Sequence, residues 1–184
     1  MAYDAVVLAG GAARRLDGVD KPMLEVAGRP MLVHVLDAVA AAQVRIVVGP
    51  RRPIDRDVAW CREDPPGGGP VAGLGAALPL TTAGTVVVLA ADLPGIAPAI
   101  DPLLDALPTH GVALLARDGR RNHLAAAWRR DTLVNALARV DDLRGASMRG
   151  LLAGATVAEV ADPGWGDDCD TWADWATLRD RRTS

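Results

Sequence analysis

Three short stretches hold the residues best suited to chemistry. The first follows an apolar run and reads Leu8-Ala9-Gly10-Gly11, then Arg15, then Lys21-Pro22. Paired glycines let backbone N–H groups come close to an anion or a flat base, and Arg15 and Lys21 can offer positive charge to phosphates. The same stretch also reads as a tight turn with solvated charges. In the second stretch, Ala91-Asp92-Leu93-Pro94, a carboxylate closes another apolar run and reads equally as a helix N-cap. The third is Asp168-Cys169-Asp170, where an extended backbone would turn both carboxylates to one side and Cys169 to the other. Asp170 is also a good N-cap for a helix starting there. The spacing excludes the Gly-x-x-x-x-Gly-Lys-Ser/Thr phosphate loop and the Gly-x-Gly-x-x-Gly dinucleotide loop.

The chain has 20 basic residues, and Lys21 alone among them is lysine. Compositional drift toward arginine accounts for the bias, but not for where the lone lysine stands. A compact ammonium and a planar guanidinium do different work on phosphate, so its place in the glycine loop marks it for a role.

These stretches need a scaffold that brings them together. Residues 4–9, 44–48 and 85–91 are short continuous apolar runs, as in strands buried on both faces, and they end at Gly10, Gly49 and Asp92. From Pro30, the apolar residues Leu32, Val35, Leu36 and Val39 predict an amphipathic helix with His34 and Asp37 facing outward. Residues 65–69 form a Gly/Pro loop, and helices are expected over 70–78, 98–107, 130–140, 147–152 and 171–179. Further strands are expected over 111–116, 124–128 and 156–160. This alternation predicts a three-layer α/β/α sandwich, Rossmann-like, with a mainly parallel sheet. Ligands of such sheets collect beyond the carboxyl ends of the strands, where Gly10, Gly49 and Asp92 would meet.

With 184 residues, 50% hydrophobic and 23% charged, the expectation is one domain over 1–184, its tail frayed over 179–184. A net charge of −3 argues against a dedicated nucleic-acid binder. Cys61 and Cys169 make neither a disulfide framework nor a zinc spacing. No signal peptide or apolar stretch of membrane-spanning length is read, so no membrane partner and a cytoplasmic location are expected. Arg51-Arg52 could reach phosphate or lie in a solvated loop, and one of the five tryptophans could stack on a flat ligand while the rest pack.

Taken together, Leu8-Ala9-Gly10-Gly11, Arg15, Lys21-Pro22 and Gly28-Arg29-Pro30-Met31 resemble the signature of GT-A-like nucleotidyltransferases, most closely the molybdenum cofactor guanylyltransferases. The resemblance continues in Asp64, in Gly69-Pro70-Val71-Ala72-Gly73, in Ala91-Asp92-Leu93-Pro94 and in Asp168-Cys169-Asp170-Thr171, and it is weakest over 110–160. It implies a GT-A-type fold and transfer of GMP from GTP to the terminal phosphate of molybdopterin, with release of pyrophosphate. Its implied nucleotide-binding residues are Leu8, Ala9, Gly10, Gly11, Lys21, Gly49, Asp64 and Asp92. The implied catalytic set is Lys21, Arg15 and Asp92, with Mg²⁺ as cofactor on Asp92, Asp168 and Asp170. Implied partners are GTP and molybdopterin, with a molybdoenzyme or cofactor chaperone as recipient and a monomer or weak homo-oligomer as the working form.

The physics suits that reaction. Two unit charges about 4 Å apart repel by on the order of 4 kcal/mol at an effective dielectric near 20, so cations must offset the approach of two polyanions. The attacking phosphate is already ionised and needs no general base; positioning and charge stabilisation suffice. Three departures from the family pattern stand out: Asp17 in place of Gly, Gly49 in place of Asn, and Arg120-Arg121-Asn122-His123 in place of an acidic residue and a proline. The last stretch reads either as an exposed hairpin turn or as a place where Arg121 and His123 face the pterin phosphate. Two other readings stay open: a cytidylyltransferase on the same acceptor, which the Gly10-Gly11 pair argues against, and a nucleotide- or cofactor-binding module without turnover.

Overall fold

The computed structural model describes residues 1–10, 19–109 and 111–181. In chain order its elements are β1 (Asp4–Leu8), β2 (Glu25–Val26), β3 (Arg29–Pro30), α1 (Met31–Ala38), β4 (Arg45–Val48), β5 (Ala59–Cys61), α2 (Pro70–Ala77), β6 (Thr85–Ala90), α3 (Ile100–Asp105), β7 (Gly111–Arg117), β8 (Arg120–Arg129), α4 (Arg130–Ala138), α5 (Met148–Leu151), β9 (Thr156–Ala161) and α6 (Trp172–Arg181). Among the described residues, seven strands form one sheet in the order β5-β4-β1-β6-β8-β7-β9. Every neighbouring pair is parallel except those of β8, which runs antiparallel to β6 and β7.

Strict alternation along the strands sorts the core into two layers. Val7, Val87 and Leu89 face Leu32, Leu36 and Leu103 on α1 and α3. Val6, Val86 and Val88 face Val71, Leu74, Leu133 and Leu151 on α2, α4 and α5. Both faces are apolar because both are covered, which is why these strands read as continuous hydrophobic runs. The three-layer α/β sandwich expected from the sequence is the fold observed.

Four local expectations need correction. His34 does not face outward: it is 5% exposed, because its Nε2 sits 2.6 Å from the carbonyl oxygen of Val26 in the small β2–β3 hairpin. That hairpin and the short edge strand β5 were not foreseen. The turn between β7 and β8 is Asp118-Gly119, both at positive φ, so Arg120-Arg121-Asn122-His123 is strand and not turn. Finally, α3 is shorter than the 98–107 span, a single 3₁₀ turn over Ala97–Ala99 preceding it. Among the described residues no helix is long and apolar enough to cross a membrane.

Candidate active site

Register brings the ends of β1, β4 and β6 together. Leu8 pairs with Val48 on one side and Ala90 on the other, so the chain leaves all three strands at one edge. There Ala9 N–H donates to the Val48 carbonyl at 2.8 Å, and Ala91 N–H to the Leu8 carbonyl at 3.0 Å. Gly49 has φ of 145°, and a Cβ on it would lie 3.0 Å from the carbonyl carbon and oxygen of Ala9, so only glycine lets β4 end so close to that segment. Over this edge opens a cavity of about 890 Å³ whose walls include Leu8, Ala9, Gly10, Gly69, Gly73 and Asp92. Gly73 also packs helix α2 on the sheet, since a Cβ there would meet Val48 at 3.1 Å and Leu8 at 3.3 Å. Close packing and a shallow wall are thus served by the same small residue.

The ammonium of Lys21 lies in this cavity between two carboxylates. It forms ion pairs with Asp92 and, at 2.7 Å, with Asp170, and its side chain is only 16% exposed. Burial disfavours the charged amine, but the hydrogen bonds and charges of Asp170 and Asp92 outweigh it and raise the Lys21 pKa above its ordinary value. Asp168 lines the same cavity; burial, reinforced by the negative charges of Asp170 and Asp92, pushes its carboxyl above the usual range.

Lys21 and Asp170 are 149 residues apart, and a small apolar cluster joins them. Cys169 is buried against Val26 and Met31, with Leu24 and Trp175 packed on the same cluster. Trp175 Nε1 donates to the Glu25 carbonyl at 2.9 Å. The Cys169 side chain therefore points away from the cavity that its neighbours Asp168 and Asp170 reach, and burial lifts its thiol pKa to about 11. On the other flank, Asp162 Oδ1 accepts from the backbone N–H of Gly164, Trp165 and Gly166 at 2.9, 2.7 and 3.2 Å, folding the segment that leads to Asp168. Helix α6 is capped by Thr171 and Asp174 in reciprocal bonds, so Asp170 is not its N-cap and its carboxylate serves Lys21. Asp92 likewise meets Lys21 instead of capping a helix.

A second cavity of about 890 Å³ adjoins the first and shares Pro70, Asn122, Leu124 and Asp168 with it. Its walls include Arg117, Arg120, Arg121, His123 and Arg149. Burial, with the positive charges of Arg121 and Arg149, depresses the His123 pKa. Arg121 is also paired with Glu159 at 2.7 Å.

Of the residues expected at the site, Leu8, Ala9, Gly10, Lys21, Asp92, Asp168 and Asp170 line one cavity. Gly49 supports it from behind through backbone contact. Asp64 is exposed and is not part of the wall; its neighbour Glu63 is, and Glu63 also accepts the Gly67 N–H at 2.9 Å. Gly11, Arg15 and Asp17 lie outside the described residues. Arg52, read as solvated or phosphate-facing, instead buries its guanidinium against Asp20 and Ala9. Among the described residues no tryptophan lines either cavity.

Comparison with known proteins shows the family and the fold. The family model described as MobA-like NTP transferase domain matches residues 5–160. A probable molybdenum cofactor guanylyltransferase of Synechococcus elongatus is 30% identical over 97% of this chain and 99% of its own length. Among solved structures, molybdopterin-guanine dinucleotide biosynthesis protein A from Archaeoglobus fulgidus superposes with a TM-score of 0.77 at 20% identity, over 98% of both chains. A nucleotidyl transferase from Methanothermobacter does so with 0.81 at 22% identity, over 100% of this chain and 99% of its own. With the matching model running from β1 into β9, and a relative matched along nearly the whole of both chains, this chain belongs to the MobA-like NTP transferase family.

Proposed function

We propose that this chain, as a single nucleotidyltransferase domain, transfers GMP from GTP to the terminal phosphate of molybdopterin carrying molybdenum. An oxygen of the acceptor phosphate attacks the α-phosphorus, the bond from that phosphorus to the β-phosphate bridge breaks, and pyrophosphate leaves. The observation that carries the reading is the Lys21 ammonium, held over the carboxyl edge of β1 and β6 beside Ala9–Gly10. A nucleotide entering there meets shallow glycine walls for its base and one movable point charge for its phosphates. The arginine-lined second cavity, continuous with the first at Asp168, suits an anionic acceptor, and its opening beside the nucleotide lets the two phosphates meet.

Asp92 and Asp170 close around a cation, the Lys21 ammonium, and so suit a hard divalent ion once that ammonium moves aside. Among the described residues no three carboxylate, imidazole or thiol groups are gathered as a metal cage, and Asp168, on the same wall, would have to swing in to complete one. Asp92, Asp168 and Asp170 would hold Mg²⁺, which when bound supplies positive charge to the triphosphate. Lys21 would then be released from its carboxylate partners to the phosphates, and Arg15 would grip them alongside it. The nucleotide would contact Leu8, Ala9, Gly10, Gly11 and Lys21. The product would pass to a molybdoenzyme or a cofactor chaperone, with the chain acting in the cytoplasm as a monomer or weak homo-oligomer. A thermal-shift series with Mg²⁺ and each of GTP, CTP, ATP and UTP tests the nucleotide: stabilisation by GTP is expected, and stabilisation by CTP alone would overturn the base assignment.

A further inference from the structure

Arg52 stands in the turn after β4 and is not among the residues lining the two cavities, yet its side chain is only 7% exposed. Its Nε donates to both carboxylate oxygens of Asp20, at 3.0 and 2.8 Å. Its Nη2 donates to Asp20 Oδ1 at 2.7 Å and to the Ala9 carbonyl at 3.0 Å, and Nη1 donates to the Pro50 carbonyl at 3.2 Å. One planar fork therefore ties the residue before Gly10 to the residue before Lys21.

Two independent features point the same way. Gly49, three residues earlier, is pressed against the Ala9 carbonyl and Gly10 nitrogen, so the segment that carries Arg52 starts against that backbone. Asp20 stands at the N-cap of the 3₁₀ turn Lys21–Met23, yet its side chain makes no cap bond there. An aspartate in that place ordinarily accepts a turn N–H. This one is committed to Arg52, while its carbonyl accepts the Met23 N–H at 2.8 Å and starts the turn that carries Lys21.

We propose that Arg52 is a positioning residue for the transfer: through Asp20 and Ala9 it sets the distance between the Ala9–Gly10 backbone and the Lys21 ammonium. This rests on the guanylyltransferase reading. The geometry favours arginine, because one guanidinium reaches a carboxylate and a carbonyl in a single plane, whereas an ammonium is a point donor that can keep only part of the tie. Arg52 touches no reacting atom in this account and acts only by placing Lys21.

The test is a pair of backgrounds. In the wild type, Arg52→Met should lower kcat by on the order of 10- to 100-fold, the range expected when a catalytic group is misplaced by about an ångström. In a Lys21→Ala background the same change should cost less than about twofold, because the group it places is already gone. Arg52→Lys should recover part of the loss. Backbone amide exchange at Met23 and Leu24 should quicken in Arg52→Met, whatever the substrate. Equal kcat losses in both backgrounds would overturn the proposal, as would an Arg52→Met protein with wild-type turnover and unchanged exchange at those amides. A wild-type chain that releases no pyrophosphate from GTP and acceptor, but whose Met23 and Leu24 amides do loosen in Arg52→Met, would sink the transfer reading and leave the Arg52 tie standing.

Discussion

The two edges of the central sheet each carry an aspartate at a strand end, fully buried Asp4 at one and half-buried Asp92 at the other, and the two are used in opposite ways. At the amino edge, Asp4 is fully buried at the start of β1 and accepts the backbone N–H groups of Val44, Thr82 and Ala83 at 3.1, 2.5 and 2.7 Å. At the carboxyl edge, Asp92 follows β6 and meets a side-chain ammonium instead. Backbone partners cannot leave without unfolding the turn that holds them, whereas an ammonium on a flexible stem can. One edge is therefore built to stay shut, while the counter-charge at the other can exchange, as the proposed function needs.

The sharpest way to break this contrast is at Lys21. Lys21→Ala should lower turnover by on the order of 10²–10³, the usual loss when one charge-stabilising group is removed, with a smaller loss of stability than a change at the amino edge causes. Lys21→Arg should keep nucleotide affinity within a few-fold and still lose most turnover, because a fork cannot follow the phosphate as a point charge does. Steady-state rates with parallel nucleotide titrations check both. At the opposite edge, Asp4→Ala should cost about 2–4 kcal/mol of stability by orphaning buried N–H groups, while kcat of the folded fraction stays unchanged. Denaturant unfolding read beside activity separates the two. A Lys21 variant that unfolds early, or an Asp4 variant that folds well but turns over slowly, would erase the distinction.

Smaller effects sharpen the picture on the acceptor side and at the periphery. Arg149→Ala should raise the KM for the anionic acceptor about tenfold and leave GTP affinity alone, since Arg149 lines only the second cavity. The smallest effect concerns Asp37, whose carboxyl is held below its usual range chiefly by its hydrogen bond to Arg56, with Arg29 adding its charge. A depressed folded-state pKa gives stability that is present above the ordinary carboxylate pKa of about 3.9 and is lost as pH falls through the folded value. Asp37→Asn should accordingly lower the melting midpoint at neutral pH, and the difference from wild type should close as the solution is acidified below pH about 4.

Much of the scaffold was readable because its signals are local. Val86-Val87-Val88-Leu89 has no polar residue to tell one face from the other, and both faces are indeed covered. Asp118-Gly119 carried its own hairpin signal, and weighting it would have placed Arg120–His123 in a strand. What the chain hides is pairing at a distance. His34 looked exposed because it is polar; its burial depends on the Val26 carbonyl eight residues away in a hairpin too short for periodicity to show. Lys21 and Asp170 meet only because Val26, Met31 and Cys169 pack together. Arg52 grips residues 43 and 32 positions earlier, and no spacing rule announces that. Family resemblance singled out Asp64, while the side chain on the cavity wall belongs to Glu63 beside it.

Pyrophosphate release, followed with purified chain, Mg²⁺ and each nucleoside triphosphate, with and without molybdopterin, interrogates the enzyme reading without intermediaries. Release should require GTP and acceptor together and should nearly vanish in Lys21→Ala. Tight GTP binding with no acceptor-dependent release from the wild type would contradict it, leaving a nucleotide-holding protein in place of a transferase.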